Sequence, residues 1–222
     1  MATVVSLREH LVEELNDLLN AEQQLIEALP QMAQRATSRD LKAAFKTHLG
    51  ETRTHARRVS QALKQLRERP DGSTCEAMEG LLEEGEHLMK SGAPGPLQDA
   101  MLITAAQKVE HYEIATYGTV RTYAQVVGEK SVAKLLEQTL KEEKAADKKL
   151  TRIAEGSVNK RAGEEWHGRA GAGRVLQRGT RWAGSTIGSA VKRVKARTQA
   201  ADRSWNTGRS KARSGRSRKR TR

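Results

Sequence analysis

The stretch LITAAQKVEHYEIATYGTV, residues 102–120, decides the fold class of this chain. Its apolar residues recur every three or four positions, which is the spacing of one buried face of an α-helix. Glu110 and Glu113 fall inside that apolar stripe. A carboxylate on a core-facing position costs free energy unless another group pairs with it. The stretch therefore predicts a helix whose buried face requires partners for two acidic side chains.

Three more stretches repeat this combination of an apolar stripe with inward polar residues. They are NAEQQL at residues 20–25, ETRTH at 51–55 and EEKAAD at 142–147. Residues three or four apart lie on the same face of a helix. We therefore expect the polar side chains of all four stretches to converge in a cage for hard cations. The candidate ligands are Glu22, Glu51, His55, Glu110, Glu113, Glu143 and Asp147.

The periodicity predicts four long helices and one short one. We expect the long helices at about residues 6–36, 38–68, 97–127 and 130–154, and a short crossover helix at about 75–90. Ser38 is the expected N-cap of the second helix, and Pro30 is expected to kink the first or to end its regular part. Gly128 and Gly156 are expected to end the last two. No segment predicts a strand, so the prediction is an all-α fold, a ferritin-like four-helix bundle over residues 1–158.

Charge divides the chain into two parts. Residues 161–222 hold 18 Lys and Arg against 3 Asp and Glu, whereas residues 1–160 hold 22 against 24. The basic part contains only eight Val, Ile, Leu and Trp residues. Such a segment buries too little apolar surface to offset its chain entropy. We expect residues 159–222 to form a largely disordered basic tail, with a short amphipathic helix near residues 187–197.

The remaining composition favours a cytoplasmic protein. Cys75 is the single cysteine, which excludes an intrachain disulfide and argues against a thiolate metal site. The start MATVVSLREH lacks the basic and apolar regions of a secretory signal. No stretch reaches the roughly 20 apolar residues of a membrane span. We expect a cytoplasmic location, with nucleoid association if the tail binds nucleic acid.

The candidate ligands predict a two-metal site. Six carboxylates and one imidazole at one place must either hold protons or bind cations. Oxygen-rich ligands with an imidazole suit iron, manganese or zinc, and we expect two iron ions per bundle. A single Glu at the edge of an apolar stripe is more often solvent-facing, so repetition on four helices carries this interpretation. His48 is interpreted as a hydrogen-bonded core residue or a support for the site, and Glu14 and Glu142 as surface residues.

Five segments of the chain resemble a known family. The YciE/YciF family of ferritin-like bacterial proteins is similar to LVEELNDLLNAEQQLIEALPQMA (11–33), HLGETRTHARRV (48–59), CEAMEGLLEEGEHLM (75–89), AAQKVEHYEIATYGT (105–119) and LKEEKAADKKL (140–150). The resemblance spans about residues 5–155. It implies a ferritin-like bundle, often dimeric, that is associated with general and osmotic stress responses.

The ligand pattern also resembles that of rubrerythrin-type di-iron bundles. Glu22, Glu51, Glu110, Glu113 and Glu143 fit the carboxylate roles of that pattern. Two positions depart from it. His55 follows Glu51 by four residues where the pattern has three, and Asp147 stands where the pattern has a histidine. The expected site is therefore richer in carboxylates than the pattern it resembles.

Two functions of different classes are open at this point. The first is a di-iron protein that oxidises Fe(II) or consumes peroxide, in the manner of a ferroxidase or peroxidase. The second is a stress protein that binds DNA or RNA through residues 161–222, because clustered Arg and Lys neutralise phosphates without reading sequence. In that case the bundle is a scaffold with a vestigial metal site. An anionic membrane surface, an acidic protein or no specific role are the other interpretations of the tail. We expect a homodimer.

Overall fold

The computed structural model describes residues 4–171, with side chains as far as Glu165. Within that range the chain is helical and contains no strand. The elements are α1 (Leu7–Arg35), α2 (Arg39–Gln65), α3 (Glu76–Ser91), α4 (Pro96–Val126), α5 (Lys130–Ile153), a π-helical turn (Ala154–Val158) and α6 (Asn159–Gly171). The first part of the expected basic tail, residues 159–171, is therefore helical and not disordered, and the rest of the tail, with its expected amphipathic helix, lies outside the described residues. No helix in the described part has the length and apolar character needed to cross a bilayer.

The helices form a bundle of two antiparallel pairs. α1 packs against α2, and α4 packs against α5. The pairs meet along α2 and α5 and along α1 and α4, which closes a four-helix bundle. α3 connects the pairs and leans on α4 and α1. The expected bundle with a short crossover helix is confirmed.

Local signals explain where most helices begin and end. The Ser38 hydroxyl accepts a hydrogen bond from the Leu41 amide at 3.4 Å, so its predicted role as N-cap is confirmed. Gly128 follows α4 with a φ of 85°, a left-handed conformation that favours glycine after a helix. Pro30 does not end α1, which continues through it to Arg35.

The prediction that Gly156 ends the last helix is wrong. The chain instead widens into the π-helical turn and continues as α6. Ala154 and Val158 flank Gly156 and are buried in the core, so tertiary packing outweighs the local tendency of glycine to end a helix. The expected domain boundary at residues 158 and 159 coincides with the start of α6, and its position stays a prediction.

A buried carboxylate joins the turn between α1 and α2 to the start of α4. Asp99 lies in the first turn of α4 and is fully buried. It accepts hydrogen bonds from the amides of Thr37 at 2.7 Å and Ser38 at 2.8 Å, and from the Thr37 hydroxyl at 2.6 Å. The amide donors precede α2, so this carboxylate fixes where the second helix begins.

A band of polar side chains divides the apolar core. Buried apolar residues form two clusters, one around Leu25, Phe45 and Leu102 and the other around Leu15 and Leu63. Between them along every long helix lie buried acidic or imidazole side chains, which we call the polar layer. Its members are Glu22, His48, His55, Glu110, Glu113 and Glu143.

Candidate metal centre

The polar layer contains two groups of side chains that are close enough to hold a metal ion. His48, Glu110, Glu113 and Glu143 form the first group. Glu22, His55 and Glu143 form the second. Within each group the ligand atoms lie within 4.8 Å of one another. Glu143 belongs to both groups, so one carboxylate lies between the two candidate ion positions.

In the first group an imidazole from α2 faces carboxylates from α4 and α5. His48 Nε2 lies 3.3 Å from Glu110 Oε1 and 3.8 Å from Glu143 Oε2. Glu113, one turn after Glu110, is completely buried. All four side chains lie on the bundle-facing sides of their helices, which the apolar stripes on either side hold inward.

In the second group a second imidazole of α2 faces α1 and α5. His55 Nδ1 lies 2.7 Å from Glu143 Oε1 and 3.7 Å from Glu22 Oε1. Tyr117, which is fully buried on α4, donates a hydrogen bond to Glu22 Oε1. Each group therefore combines one imidazole with carboxylates from two other helices.

Most carboxylate oxygens of the polar layer have no hydrogen-bond partner among the described residues. Neither oxygen of Glu113 accepts a hydrogen bond, and the same holds for one oxygen each of Glu22 and Glu110. The two oxygens of Glu143 also accept no aligned hydrogen bond, although Oε1 lies 2.7 Å from His55 Nδ1. Unpaired buried polar atoms are rare in folded proteins because each costs about 1–3 kcal/mol. Oxygen ligands with imidazole nitrogens suit iron, manganese and zinc. The orphaned oxygens and this donor set both fit a metal site.

The ionisation of the polar layer is strongly perturbed. Burial, reinforced by the charge of Glu143, raises the pKa of Glu22 to about 8 and that of Glu110 to about 9. Burial together with Glu143 and Glu22 raises the pKa of Glu113 well above its ordinary value. Without metal, the site must hold protons that bound cations would displace.

Each imidazole has a second carboxylate on the side away from the cluster. His48 Nδ1 lies 3.3 Å from Glu51 Oε2. His55 Nε2 lies 2.8 Å from Glu142 Oε2, and Glu142 also accepts from Arg58. A carboxylate on one ring nitrogen fixes the orientation of a ligating histidine and selects the other nitrogen for the metal. The arrangement presents His48 Nε2 and His55 Nδ1 to the cluster.

The histidine pKa values follow from these contacts. Burial acts to lower the pKa of His48, but Glu51, Glu110 and Glu143 outweigh it and raise the pKa to about 9. The pKa of His55 is also raised, because Glu143 and Glu22 outweigh its burial. The hydrogen bond with His48 lowers the pKa of Glu51. Burial opposes ionisation of Glu142, but Arg58 and His55 outweigh it and lower the pKa.

One known protein family matches most of this chain. A family described as "Domain of unknown function (DUF892)" matches residues 6–163. The chain belongs to the DUF892 family. The curated Escherichia coli (strain K12) protein YciF is 44% identical to this DUF892 chain over 163 residues, which are 73% of this chain and 96% of YciF. The resemblance to the YciE/YciF family is confirmed.

Solved structures agree with this assignment. The crystal structure of the E. coli stress protein YciF matches with a TM-score of 0.68 and 42% identity, over 71% of this chain and 99% of that one. YcfI from Rhodopseudomonas palustris matches with a TM-score of 0.65 and 38% identity, over 67% of this chain and 94% of that one.

A more distant structure shows the fold class. A ferritin-like, diiron-carboxylate protein from Bacillus anthracis str. Ames matches with a TM-score of 0.50 and 16% identity, over 68% of this chain and 99% of that one. At that identity the similarity concerns the fold alone. The DUF892 chain therefore has the ferritin-like fold expected from its sequence.

Five of the seven sequence-predicted ligands meet in the polar layer of this DUF892 protein. They are Glu22, His55, Glu110, Glu113 and Glu143. The other two lie outside both groups. The Glu51 side chain is 41% exposed and contacts the outer side of His48. Asp147 accepts a hydrogen bond from Gln107 at 3.1 Å and lies 3.4 Å from His111 Nε2.

Two residues of the site have roles that differ from their interpretation from the sequence, since neither His48 nor Glu142 was among the seven candidate ligands. His48 was interpreted as a core or supporting residue, yet its ring faces Glu110 and Glu143. His48 and His55 are seven residues apart, two helical turns, so both lie near one line along α2. That spacing was the available signal. Glu142 was interpreted as a surface residue, but it contacts His55 and Arg58.

Proposed function

We propose that this protein holds two metal ions, with iron as the physiological metal, in its polar layer and uses them to oxidise Fe(II) or to consume peroxide. The observation that carries this proposal is the pair of histidine–carboxylate groups that share Glu143, with six buried carboxylate oxygens that accept no hydrogen bond from a described residue. Two ions would remove much of the repulsion among these carboxylates.

Each side chain has a distinct part in this proposal. His48, Glu110 and Glu113 would hold one ion, His55 and Glu22 would hold the other, and Glu143 would contact both. Bound iron would supply the redox chemistry. Glu51 and Glu142 keep the two imidazoles oriented, and the two apolar clusters flank the site along the bundle.

The relatives support the biological setting of this proposal. YciF is described as a stress protein, and the distant Bacillus anthracis protein is described as diiron-carboxylate. A protein that removes Fe(II) or peroxide would have an obvious use under stress. We infer this role for the present chain from the donor set of its own site together with these descriptions.

Metal analysis of protein purified without chelators tests the proposal. We expect about two iron ions per chain after anaerobic loading with Fe(II), and oxidation of that iron when oxygen or peroxide is admitted. Loading with Mn(II) or Zn(II) in competition shows whether iron is preferred. Less than one tightly bound ion per two chains would contradict the proposal.

A matched pair of variants separates the site from general effects on the helix. Glu143→Gln removes the charge of the shared carboxylate and is expected to lower the bound metal below one ion per chain. Glu137→Gln lies on the same helix but is paired with Arg121 away from the polar layer. This control should keep the metal content of the parent protein.

A second candidate function rests on the charge of residues 161–222, which contain 18 Lys and Arg residues but only 3 Asp and Glu residues. Such a segment would bind DNA or RNA with strong salt dependence and little sequence preference. Gel-shift assays of the full chain and of residues 1–171 test it, since the shorter chain retains all residues that match the DUF892 family. Equal binding by both would exclude this role for the tail. The expected homodimer and cytoplasmic location stay predictions, and light scattering tests the first.

A further inference from the structure

An apolar cavity lies between the long helices beside the polar layer. Its volume is about 210 Å³. Its floor consists of buried apolar side chains of α1, α2 and α4, among them Leu25, Leu29, Phe45 and Val109. At one end it reaches His48 and Glu110 of the first metal group. The cavity therefore connects an apolar chamber with the candidate metal centre.

The mouth of the cavity lies between α2 and α5. The lining residues that are partly or fully exposed all belong to these two helices. Most of them lie on α5, namely Ala145, Ala146, Lys149 and Arg152. Lys149 lies seven residues beyond Glu142, which is about 10 Å along the helix. The mouth thus extends away from the metal centre toward two basic side chains.

Two acidic and two basic side chains line the mouth, but only the acidic ones have ion-pair partners among the described residues. Its acidic members are already paired, Glu51 with His48 and Glu142 with His55 and Arg58. Lys149 and Arg152 make no ion pair with any described residue. A ligand that enters here meets two cations that have no ion pair within the described residues, and an apolar interior behind them.

We propose that this cavity binds an aliphatic carboxylate of about six to eight carbons. An apolar cavity of about 150 Å³ holds benzene in another protein, so 210 Å³ accommodates a somewhat longer chain. The carboxylate pairs with Lys149 and Arg152, and the alkyl chain extends toward Phe45 and Val109. This assignment goes beyond the metal chemistry proposed above, and it does not require that a metal be bound.

Titration of the full chain with sodium octanoate tests the proposal. Met32 lines the cavity, so its methyl group, labelled with ¹³C and assigned with Met32→Leu, reports binding in an NMR spectrum. We expect saturable shifts with a Kd near or below about 1 mM. Replacing both Lys149 and Arg152 by Ala should weaken binding by about tenfold, because two charge-assisted contacts are lost.

Controls distinguish this mode of binding from its alternatives. Lys148→Ala removes an exposed charge of the same helix outside the cavity and should leave the Kd unchanged. Ala146→Phe should occlude the mouth and abolish the Met32 shifts. The charge variants are on the surface, so they remain informative if the bulky variant fails to fold.

Three outcomes would overturn the proposal. One is an unmoved Met32 signal, and another is a double variant that binds octanoate as tightly as the parent. The third is binding that appears only after iron loading, which would place the carboxylate on the metal. Because the titration is run on both metal-free and iron-loaded protein, its failure is separate from failure of the two-metal proposal.

Discussion

Single residues outside the two metal groups determine which ring nitrogens face the metal positions. Glu142 accepts from His55 Nε2 and Glu51 contacts His48 Nδ1, so each imidazole turns its other nitrogen inward. A ring held on one side cannot rotate away from a ligand position. These outer carboxylates therefore belong to the site although they lie outside both groups.

Replacement of Glu142 by Ala is expected to lower metal affinity by about 10–100-fold, because His55 loses the acceptor that orients it. Competition with a chromophoric chelator measures this affinity. Asp147→Ala is the control on the same helix, since Asp147 contacts Gln107 and His111 and lies outside both metal groups. Similar losses in the two variants would contradict the assigned roles.

The sequence predicts the buried ligands well and the edge residues poorly, for a geometrical reason. Glu22, Glu110 and Glu143 lie on the middle of their apolar stripes, so periodicity alone directs them inward. Glu51 is three residues from His48, about 60° around the helix, which puts it at the edge of the stripe. Whether an edge side chain reaches the interior depends on the neighbouring helix, which one sequence does not specify.

At the scale of helices, Asp99 holds the start of α2 against the start of α4. Its fully buried carboxylate accepts hydrogen bonds from two backbone amides and one hydroxyl group. Asp99→Asn replaces one acceptor oxygen by a donor, and we expect it to lower the free energy of unfolding by about 2 kcal/mol.

Urea unfolding of both this variant and Asp40→Asn checks that expectation. Asp40 lies exposed in the first turn of α2, where its charge interacts favourably with the helix dipole. Its replacement should cost less than about 1 kcal/mol. Equal costs would mean that the Asp99 contacts do not stabilise the junction.

Replacing the glycine inside α4 and the glycine just after its end by alanine should change stability in opposite directions. Gly128 has a φ of 85°, so Gly128→Ala forces a strained conformation and should destabilise by about 1 kcal/mol. Gly118 lies inside α4 with open space around its Cα, so Gly118→Ala should stabilise by about 0.5–1 kcal/mol. Thermal unfolding measures both, and a shift in the same direction would refute this explanation.

Helices were predictable wherever local signals and packing agree. Ser38 and Gly128 mark true ends, because a cap or a left-handed residue is required there. Gly156 shows the opposite case. The burial of Ala154 and Val158 keeps the helix continuous, and that burial becomes apparent only once the bundle is assembled.

For the whole molecule, the buried acids predict a falling pH profile of stability in the metal-free state. Glu22 and Glu110 have pKa values of about 8 and 9 when folded, against about 4.5 otherwise. The folded state therefore binds more protons between these values, and the free energy of unfolding falls as pH rises from about 4.5 to 9. His48, raised from 6.5 to about 9, acts in the same direction above pH 6.5.

Urea denaturation in the presence of a chelator across this pH range measures the slope. Glu110→Gln should flatten it, whereas Glu137→Gln should not, because the partly exposed carboxylate of Glu137 pairs with Arg121 and has a lowered pKa. Iron loading should remove most of the decline, because metal binding displaces protons more readily at high pH. Metal-free stability that rises toward pH 8 would contradict the assigned protonation.

The division of the core by the polar layer also aligns the four helices lengthwise. Along each long helix, the buried face is apolar at both ends and polar between them, and the polar parts of all four helices lie at one level of the bundle. Sliding a helix by one turn, about 5.4 Å, would press a carboxylate against a leucine cluster and bring a leucine among the acids. The carboxylates therefore determine the axial position of each helix relative to the other three, and an ion bound between them would stabilise that alignment.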